Sequence, residues 1–526
     1  MKLNNYKYIY LFLFISFFLF SLYCIFFIGI AYDQIFHIEN GEKRLKYLLS
    51  LGRYDYYDIL HLRYYPGLYD TISAFFATVF PRKFYYESFH IINFVLGITG
   101  IIGLKKVVKY FFGPDVAKIF FLISILTPVY FGHLSINPKD TIIATSNFWI
   151  MYYVIKYLKT NDESIRTYIS IKLSLFIGLG IGVRIIFLGT LIPIILFLFN
   201  KIFFLKKITQ RIRLKNFIKH IFYILIISYT LLVFCWPNTH SNIFTEPYRL
   251  FLDSFRDQSL GPQISYFFGK FYQTQNTPWY YFIINFIFKT PVIYLTTFII
   301  FFIFYKKIKL IHIKNENFDY FVLFTLIILT FPILISIVLG LKIHDGIRYF
   351  LYLVPIFNFL PAIYLDYLLK NLHINYNKVF FALLLPLLFI FLIKFITITP
   401  YQYSYINFFN DIFLKKNSFE NDYWGTSIKE LIRKFVDKID HASSIRIATC
   451  GANPVNVKYY LRKYGLKNFI LTDFNSKFDY AILINRAIFD DKIKDNFTCY
   501  SKFNNKKTFL TINKAGIELS KVVKYN

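Results

Sequence analysis

Asp33 stands just past an apolar run that begins near Tyr8, and it leads into Gln34, His37 and Glu39. A carboxylate where a first membrane helix leaves the bilayer can take a proton from a hydroxyl or amine, or coordinate a divalent cation. It can also do no more than mark a helix end. Three other polar groupings have comparable chemistry. His133 to Asp140 reads His-Leu-Ser-Ile-Asn-Pro-Lys-Asp, where Pro138 breaks helical continuity and Asp140 opens the next apolar segment. Arg184 interrupts an apolar stretch; a charge near a membrane-helix centre costs ~2.5–3.5 kcal/mol, so it usually faces a cavity or a partner. His344-Asp345-Gly346-Ile347-Arg348 reads as a tight turn between two apolar segments. Arg suits phosphate through a bidentate fork, and Lys as a point charge. Gathered in one pocket, these residues would serve an enzyme that splits a lipid phosphate ester and passes the attached group to an acceptor. Each also has a plainer role: Asp140 as a helix-start charge, Lys139 as a snorkelling anchor, Arg348 as the partner of Asp345.

The elements that must position these side chains are membrane helices. The 526 residues are 56% hydrophobic, 22% aromatic and only 17% charged, with a mean hydropathy of +0.46, which excludes an ordinary soluble protein. Apolar runs at 8–31, 89–104, 115–132, 141–158, 168–183, 185–205, 217–236, 284–305, 318–341, 348–369 and 378–398 give about eleven spans on a ~20-residue ruler. The first run is too long for a signal peptide and lacks a small-residue cleavage site, so it reads as an anchor. The net charge of +30 does not indicate nucleic acid, because the basic residues lie mostly in short runs between apolar blocks. Those runs include Lys105 to Lys109, Lys156 to Arg166, Lys201 to Lys219 with Lys206, Lys207, Arg211 and Arg213, Lys306 to Lys309, and Lys370 with Lys378. The positive-inside rule makes that side cytoplasmic, together with the N-terminus. The loops 32–88, 133–140, 237–283 and 342–347 and the tail 399–526 then share the opposite face with Asp33.

Two domains are expected: a membrane domain over 1–398 and an extracytoplasmic α/β tail over 399–526. Within loop 32–88, segments 39–50 and 67–80 carry Leu45, Leu48, Leu49 and then Leu68, Ile72, Phe75, Phe76, Val79 at helical spacing, so they can lie in the interface and wall a cavity. In the tail, 444–450 and 480–484 read as short buried strands and 453–464 as a helix. Cys450-Gly-Ala-Asn-Pro reads as a strand-to-helix turn without the spaced glycines of a dinucleotide fingerprint. The four cysteines have no metal-ligand spacing. Cys24 and Cys235 fall in apolar runs, whereas Cys450 and Cys499 share the polar tail and could pair in an oxidising compartment.

These residues resemble a known family, the polytopic GT-C type glycosyltransferases that use polyprenyl-phosphate sugars. That group includes protein O-mannosyltransferases and the lipid A aminoarabinose transferase, and the resemblance spans most of the chain. In the family the first outer loop opens with an Asp, usually followed by Glu, and the Asp acts as catalytic base. Asp33 takes that place, with Gln34 where the Glu would be; His37 and Gly41 fit the looser bacterial pattern. Asn137-Pro138-Lys139-Asp140, Asp345-Gly346-Ile347-Arg348, Pro278-Trp279-Tyr280-Tyr281 and Asp422-Tyr423-Trp424-Gly425 are similar to turns of one bacterial branch. The resemblance implies a mainly α membrane bundle with a small C-terminal α/β domain, in a bacterial inner membrane with its C-terminal domain in the periplasm. It implies inverting hexosyl or pentosyl transfer, with Asp33 as base, Asp140 in the catalytic pocket, and Arg184, Arg348 or Lys139 on the donor phosphate. His37, His133, His344 and Asp345 would line the same pocket. No metal ligand is assigned and no cofactor is required, although a divalent Mg or Mn ion is compatible with such carboxylates. The partners implied are a polyprenyl-phosphate sugar, the bilayer, and a protein, lipid or glycan acceptor. The competing reading is a transporter or flippase of lipid-linked sugars; it would share an Arg/Asp-lined cavity, but no internal repeat supports it.

Overall fold

The computed structural model describes residues 4–57, 59–200, 214–256, 263–312, 318–340, 343–371, 375–413, 418–439, 444–490 and 495–525. Helices stand where the apolar runs place them, because backbone polar groups in a bilayer must be satisfied within the segment. They include Asn4–Phe27, Asp140–Lys159, Glu163–Val183, Leu214–Phe234, Phe318–Val338 and Asn375–Thr397. The basic run from Lys201 to Arg213 lies outside the described residues. Among the described residues, five helices are long and apolar enough to cross a membrane, or six if one bent pair counts as a single span. About eleven are expected from the sequence. The count leaves out helices such as Asp140–Lys159, whose internal Thr, Ser and Asn make it less apolar.

Three boundaries depart from expectation. Residues 89–104 and 115–132 fall on two helices, as expected, but these meet directly at a kink, Gly113 (φ 85°) before Pro114, within Tyr85–Ile125. The supposed loop lysines sit on that stretch, with the Lys105 and Lys106 ammonium groups 4.7 Å and 4.8 Å from the rings of Phe121 and Trp149, as snorkelling side chains do. The turn at 133–140 is tighter than expected: Pro128 starts a helix that runs to Ile136, so His133 is helical. Segment 284–305 is two helices, Tyr281–Lys289 and Val292–Ile303, bent by 107° at Pro291, whose ring cannot continue the first helix.

The expected interfacial segments form helices Gln34–Leu49 and Leu68–Ala77. The loop joining them wraps around Arg44, which is fully buried and donates to the carbonyls of Leu62 (3.2 Å), Tyr65 (2.7 Å), Pro66 and Cys235 (3.3 Å). Gly67 closes the loop at φ 74°, and a Cβ there would overlap the Arg44 guanidinium. Gly67→Ala is therefore expected to destabilise the protein by about 2 kcal/mol or more, from left-handed strain plus displacement of a buried hydrogen-bonded charge. A thermal melt in detergent would register this as a lower midpoint.

The tail carries a five-stranded sheet in the order Phe469–Asp473, Ile445–Cys450, Tyr480–Ile484, Ile517–Lys524, Lys507–Lys514. The first three strands are parallel, Ile517–Lys524 runs antiparallel to Tyr480–Ile484, and Lys507–Lys514 runs antiparallel to Ile517–Lys524. Helix Pro454–Lys463 makes the first crossover. A separate hairpin pairs Ala487–Asp490 with Asp495–Thr498, and Cys450 is disulfide-bonded to Cys499. Cys24 and Cys235 are buried free thiols.

This tail grips the segment that ends the first helix. The Gly29 and Tyr32 amides donate to the carbonyls of Thr426 (3.1 Å) and Trp424 (2.9 Å), and the Ile30 amide donates to the Tyr460 hydroxyl (2.9 Å). Asn453 and Asn456 donate back to the carbonyls of Tyr32 (3.0 Å) and Ile30 (3.1 Å). A Cβ on Gly29 would overlap the Thr426 carbonyl oxygen. Gly29→Ala should part these two strands of backbone, at a cost of about 1–3 kcal/mol, and move Asp33. Limited proteolysis of the tail and a thermal melt would both detect the loosening.

Candidate functional site

Asp33 lies at the N-terminus of helix Gln34–Leu49, one residue beyond the segment held by the tail. Its Oδ2 accepts from Lys139 Nζ at 3.1 Å and from Arg348 Nη1 at 3.3 Å. The Asp33 carboxylate is 35% exposed, against 8% for Lys139 and 6% for Arg348. Burial alone would raise the Asp33 pKa, but attraction from Lys139, Arg348 and then His37 outweighs it and holds the carboxyl well below its ordinary value.

Each cation is placed by its own turn. Asn137 shapes the first: its Oδ1 accepts from the Lys139 amide (3.1 Å) and the Asp140 amide (2.9 Å), and its Nδ2 donates to Asp140 Oδ2 (3.0 Å). This Asx turn starts helix Asp140–Lys159 and sends Lys139 towards Asp33. Asn93 fixes the turn to its neighbour by donating to the carbonyls of Leu134 and Asn137. The second turn has Asp345 and Gly346 at positive φ (56° and 71°), and the Gly346 amide donates to the Tyr281 hydroxyl at 3.0 Å. Arg348 Nη2 then reaches Asp345 Oδ2 at 2.9 Å and donates to His344 Nε2 at 2.8 Å. Burial, opposed by Asp345, pulls the His344 pKa down to about 4, so the neutral ring accepts from Arg348.

Arg184 follows helix Glu163–Val183 in extended conformation. Its guanidinium donates to the Tyr65 hydroxyl at 2.8 Å and lies 4.9 Å and 5.8 Å from the rings of Tyr65 and Tyr349. Among the described residues, no carboxylate comes within ion-pair distance of it. Tyr65 also faces Lys139, 5.6 Å from its ring. Burial raises the Tyr65 pKa, but Arg184 and Lys139 overcome this and leave it below 10.0.

The structure thus brings Asp33, Lys139, Arg184, His344, Asp345 and Arg348 to one pocket. Asp140 borders it: its carboxylate meets Asn137 and acts on Arg184 and Arg348 through space. His37 pairs with Asp70 (Nδ1 to Oδ2, 2.8 Å) behind Asp33. His133 sits deeper, at 3.2 Å from both Asn137 Nδ2 and the Tyr423 hydroxyl. Asp422, quoted in the sequence motif, faces inward and accepts from Tyr403, the Thr426 amide and Ser427, so it shapes the turn that holds Tyr32.

Several pocket residues have no sequence motif of their own: Tyr65, Asp70, Tyr349 and Arg486. Arg486 comes from the tail and reaches within 3.9 Å of Asp345. Tyr65 could have been suspected from Tyr64-Tyr65-Pro66-Gly67, a turn rich in aromatics within the outer loop. Among the described residues, no group of three or more His, Cys, Asp or Glu side chains is arranged to hold a metal ion. The carboxylates of Asp33 and Asp345 face Lys or Arg.

No family model matches the chain, and no curated protein matches it in sequence. In structure it is similar to ArnT from Cupriavidus metallidurans. The apo form of ArnT aligns with a TM-score of 0.52 and 12% identity, over 98% of this chain and 97% of ArnT. The form bound to undecaprenyl phosphate aligns with a TM-score of 0.52 and 11% identity, over 98% and 97% of the two chains. From the first helix to the terminal hairpin, this chain has a GT-C glycosyltransferase fold.

Proposed function

We propose that this protein is a membrane glycosyltransferase that moves a sugar from a polyprenyl-phosphate donor to an acceptor at the membrane face bearing Asp33, with inversion. The observation that carries this reading is the unequal pairing of the cations. Lys139 and Arg348 share Asp33, while Arg184 enters the same pocket between two tyrosines, with no carboxylate among the described residues at ion-pair distance. A phosphate monoanion or dianion is the natural counter-charge for such a guanidinium. ArnT, which shares the fold, has been seen with undecaprenyl phosphate bound, and a lipid of that class fits this arrangement. An apolar cavity of about 220 Å³ is lined by Ile150, Val154, Leu173, Ile177, Ile194 and Phe217 among others, a lining of the character a prenyl tail needs.

In this mechanism the donor phosphate sits on Arg184 and draws Lys139 and Arg348 towards it. Losing part of their charge, Asp33 becomes a stronger base. It takes the proton of the acceptor hydroxyl or amine as that atom attacks the anomeric carbon from the face opposite the phosphate. The carbon–oxygen bond to the phosphate breaks with its electron pair, and polyprenyl phosphate leaves as an anion that needs no acid. Asp345 and His344 keep Arg348 aimed at the pocket. No step is placed on a divalent ion. The lysine-rich runs of the sequence support a reading in which this face lies outside the cytoplasm, periplasmic in a bacterial inner membrane, with the N-terminus inside.

The test is purified protein supplied with polyprenyl-phosphate sugars and candidate acceptors. Transfer with stoichiometric release of polyprenyl phosphate supports the reading. Movement of the lipid between leaflets without transfer would instead make the protein a flippase.

A further inference from the structure

The pocket charges form a line that ends in the tail domain. Arg486 lies 3.9 Å from Asp345, Asp345 lies 2.9 Å from Arg348, Arg348 lies 3.3 Å from Asp33, and Asp33 lies 3.1 Å from Lys139. Signs alternate along all five groups. Arg486 is therefore positioned to hold Asp345 from the side opposite Arg348. Without it, Arg348, already the nearest cation to Asp345, would answer more of that carboxylate's charge, and the guanidinium would be drawn off Asp33.

Arg486 is itself held by the tail through Nη1 and its backbone, and by Tyr32. Its Nη1 donates to the Tyr423 carbonyl at 2.7 Å, and its guanidinium lies 5.0 Å from the Tyr32 ring. The Asn485 side chain donates to the Phe419 carbonyl (3.2 Å), and the Ala487 amide donates to Glu420 Oε1 (2.8 Å). The Arg486 carbonyl accepts from the amide of Cys499 at 3.1 Å. Cys499 is disulfide-bonded to Cys450 at the end of a central strand. Arg486 and Cys499 flank the hairpin in which Ala487 pairs with Thr498. The disulfide thus fastens the base of that hairpin to the sheet, with Arg486 beside it.

We propose that Arg486 is a positioning residue of the catalytic pocket, acting through Asp345 and Arg348 on Asp33, and that the Cys450–Cys499 disulfide sets its place. The tail domain is then part of the catalytic apparatus, and turnover depends on its oxidation. This rests on the glycosyltransferase reading for its kinetic arm only.

In the full-length protein, Arg486→Gln should lower kcat about tenfold while the donor KM stays within about twofold, and Arg486→Lys should restore most of the loss. Reduction with a water-soluble phosphine, or Cys450→Ser with Cys499→Ser, should lower wild-type kcat by a similar factor and leave Arg486→Gln no slower than it already is. A structure of Arg486→Gln should show the Arg348–Asp33 contact opened and Arg348 centred on Asp345. Additive losses from reduction and Arg486→Gln, or an unchanged Arg348–Asp33 contact, overturn the proposal. A wild type that transfers no sugar refutes the glycosyltransferase reading instead, and the structural arm still decides this one.

Discussion

Asp33→Asn should lower kcat by about 10²–10⁴-fold, the usual worth of a positioned general base, while donor affinity holds or rises. The two effects separate because Asp33 has two roles in the free protein. It is the proton acceptor, and it is the counter-charge of Lys139 and Arg348. Asn keeps the shape of the side chain and removes the charge, so both cations become available to the donor phosphate. A mere structural role would lower affinity and turnover together. Turnover of Asp33→Asn equal to wild type would remove Asp33 from the chemistry.

The same pairing fixes the direction of the pH dependence. Transfer needs Asp33 ionised, and Lys139 and Arg348 hold its pKa well below 3.8 in the free protein. Rates at limiting donor, which report the free protein, should therefore stay level as the pH falls through the ordinary carboxylate range. With donor bound, the phosphate competes for both cations and the Asp33 pKa rises. The acid limb of kcat should then lie at higher pH than that of kcat/KM. Coincident limbs would mean that the phosphate does not engage Lys139 and Arg348.

Arg184→Gln should raise the donor KM by about 10–100-fold, the worth of ~1.5–3 kcal/mol for a hydrogen bond to a charged group. Stability should change little, because no carboxylate among the described residues is left without its cation. Tyr65 and Tyr349 can still pack against the Gln. The contrast is with Arg348, whose removal leaves Asp33 to Lys139 alone and Asp345 to the more distant Arg486, and should cost several kcal/mol of stability. A donor KM unaffected by Arg184→Gln, measured with the melting midpoint held, would move the phosphate site elsewhere.

Much of the helical plan is written in the sequence because long apolar runs leave the backbone few alternatives in a bilayer. The pocket acids and bases at 33, 139, 140, 184, 344, 345 and 348 are legible for a related reason: a charge next to an apolar block needs an explanation. Helix ends are less so. Pro128 falls inside the apolar run 115–132 but starts a new helix, and Lys105 and Lys106 read as loop residues but snorkel from a helix onto aromatic rings. In the tail, strands 507–514 and 517–524 alternate only partly and carry lysines, although Ala515-Gly516 between them, at φ 51° and 78°, has the two-residue turn of a hairpin. Arg486 is silent in the sequence. It lies among ordinary strand-end residues, and its importance comes from Asp345, which is far away in the chain and near only in space. The same holds for Arg44 and Asp70, whose partners are supplied by neighbouring loops and helices.

Direct attack assisted by Asp33 is tested most directly by the anomeric configuration of the first product formed from a polyprenyl-phosphate sugar of defined anomer, read by NMR. Inversion is expected, with loss of product in Asp33→Asn. Retention of configuration, or inverted product formed at the wild-type rate by Asp33→Asn, would contradict it.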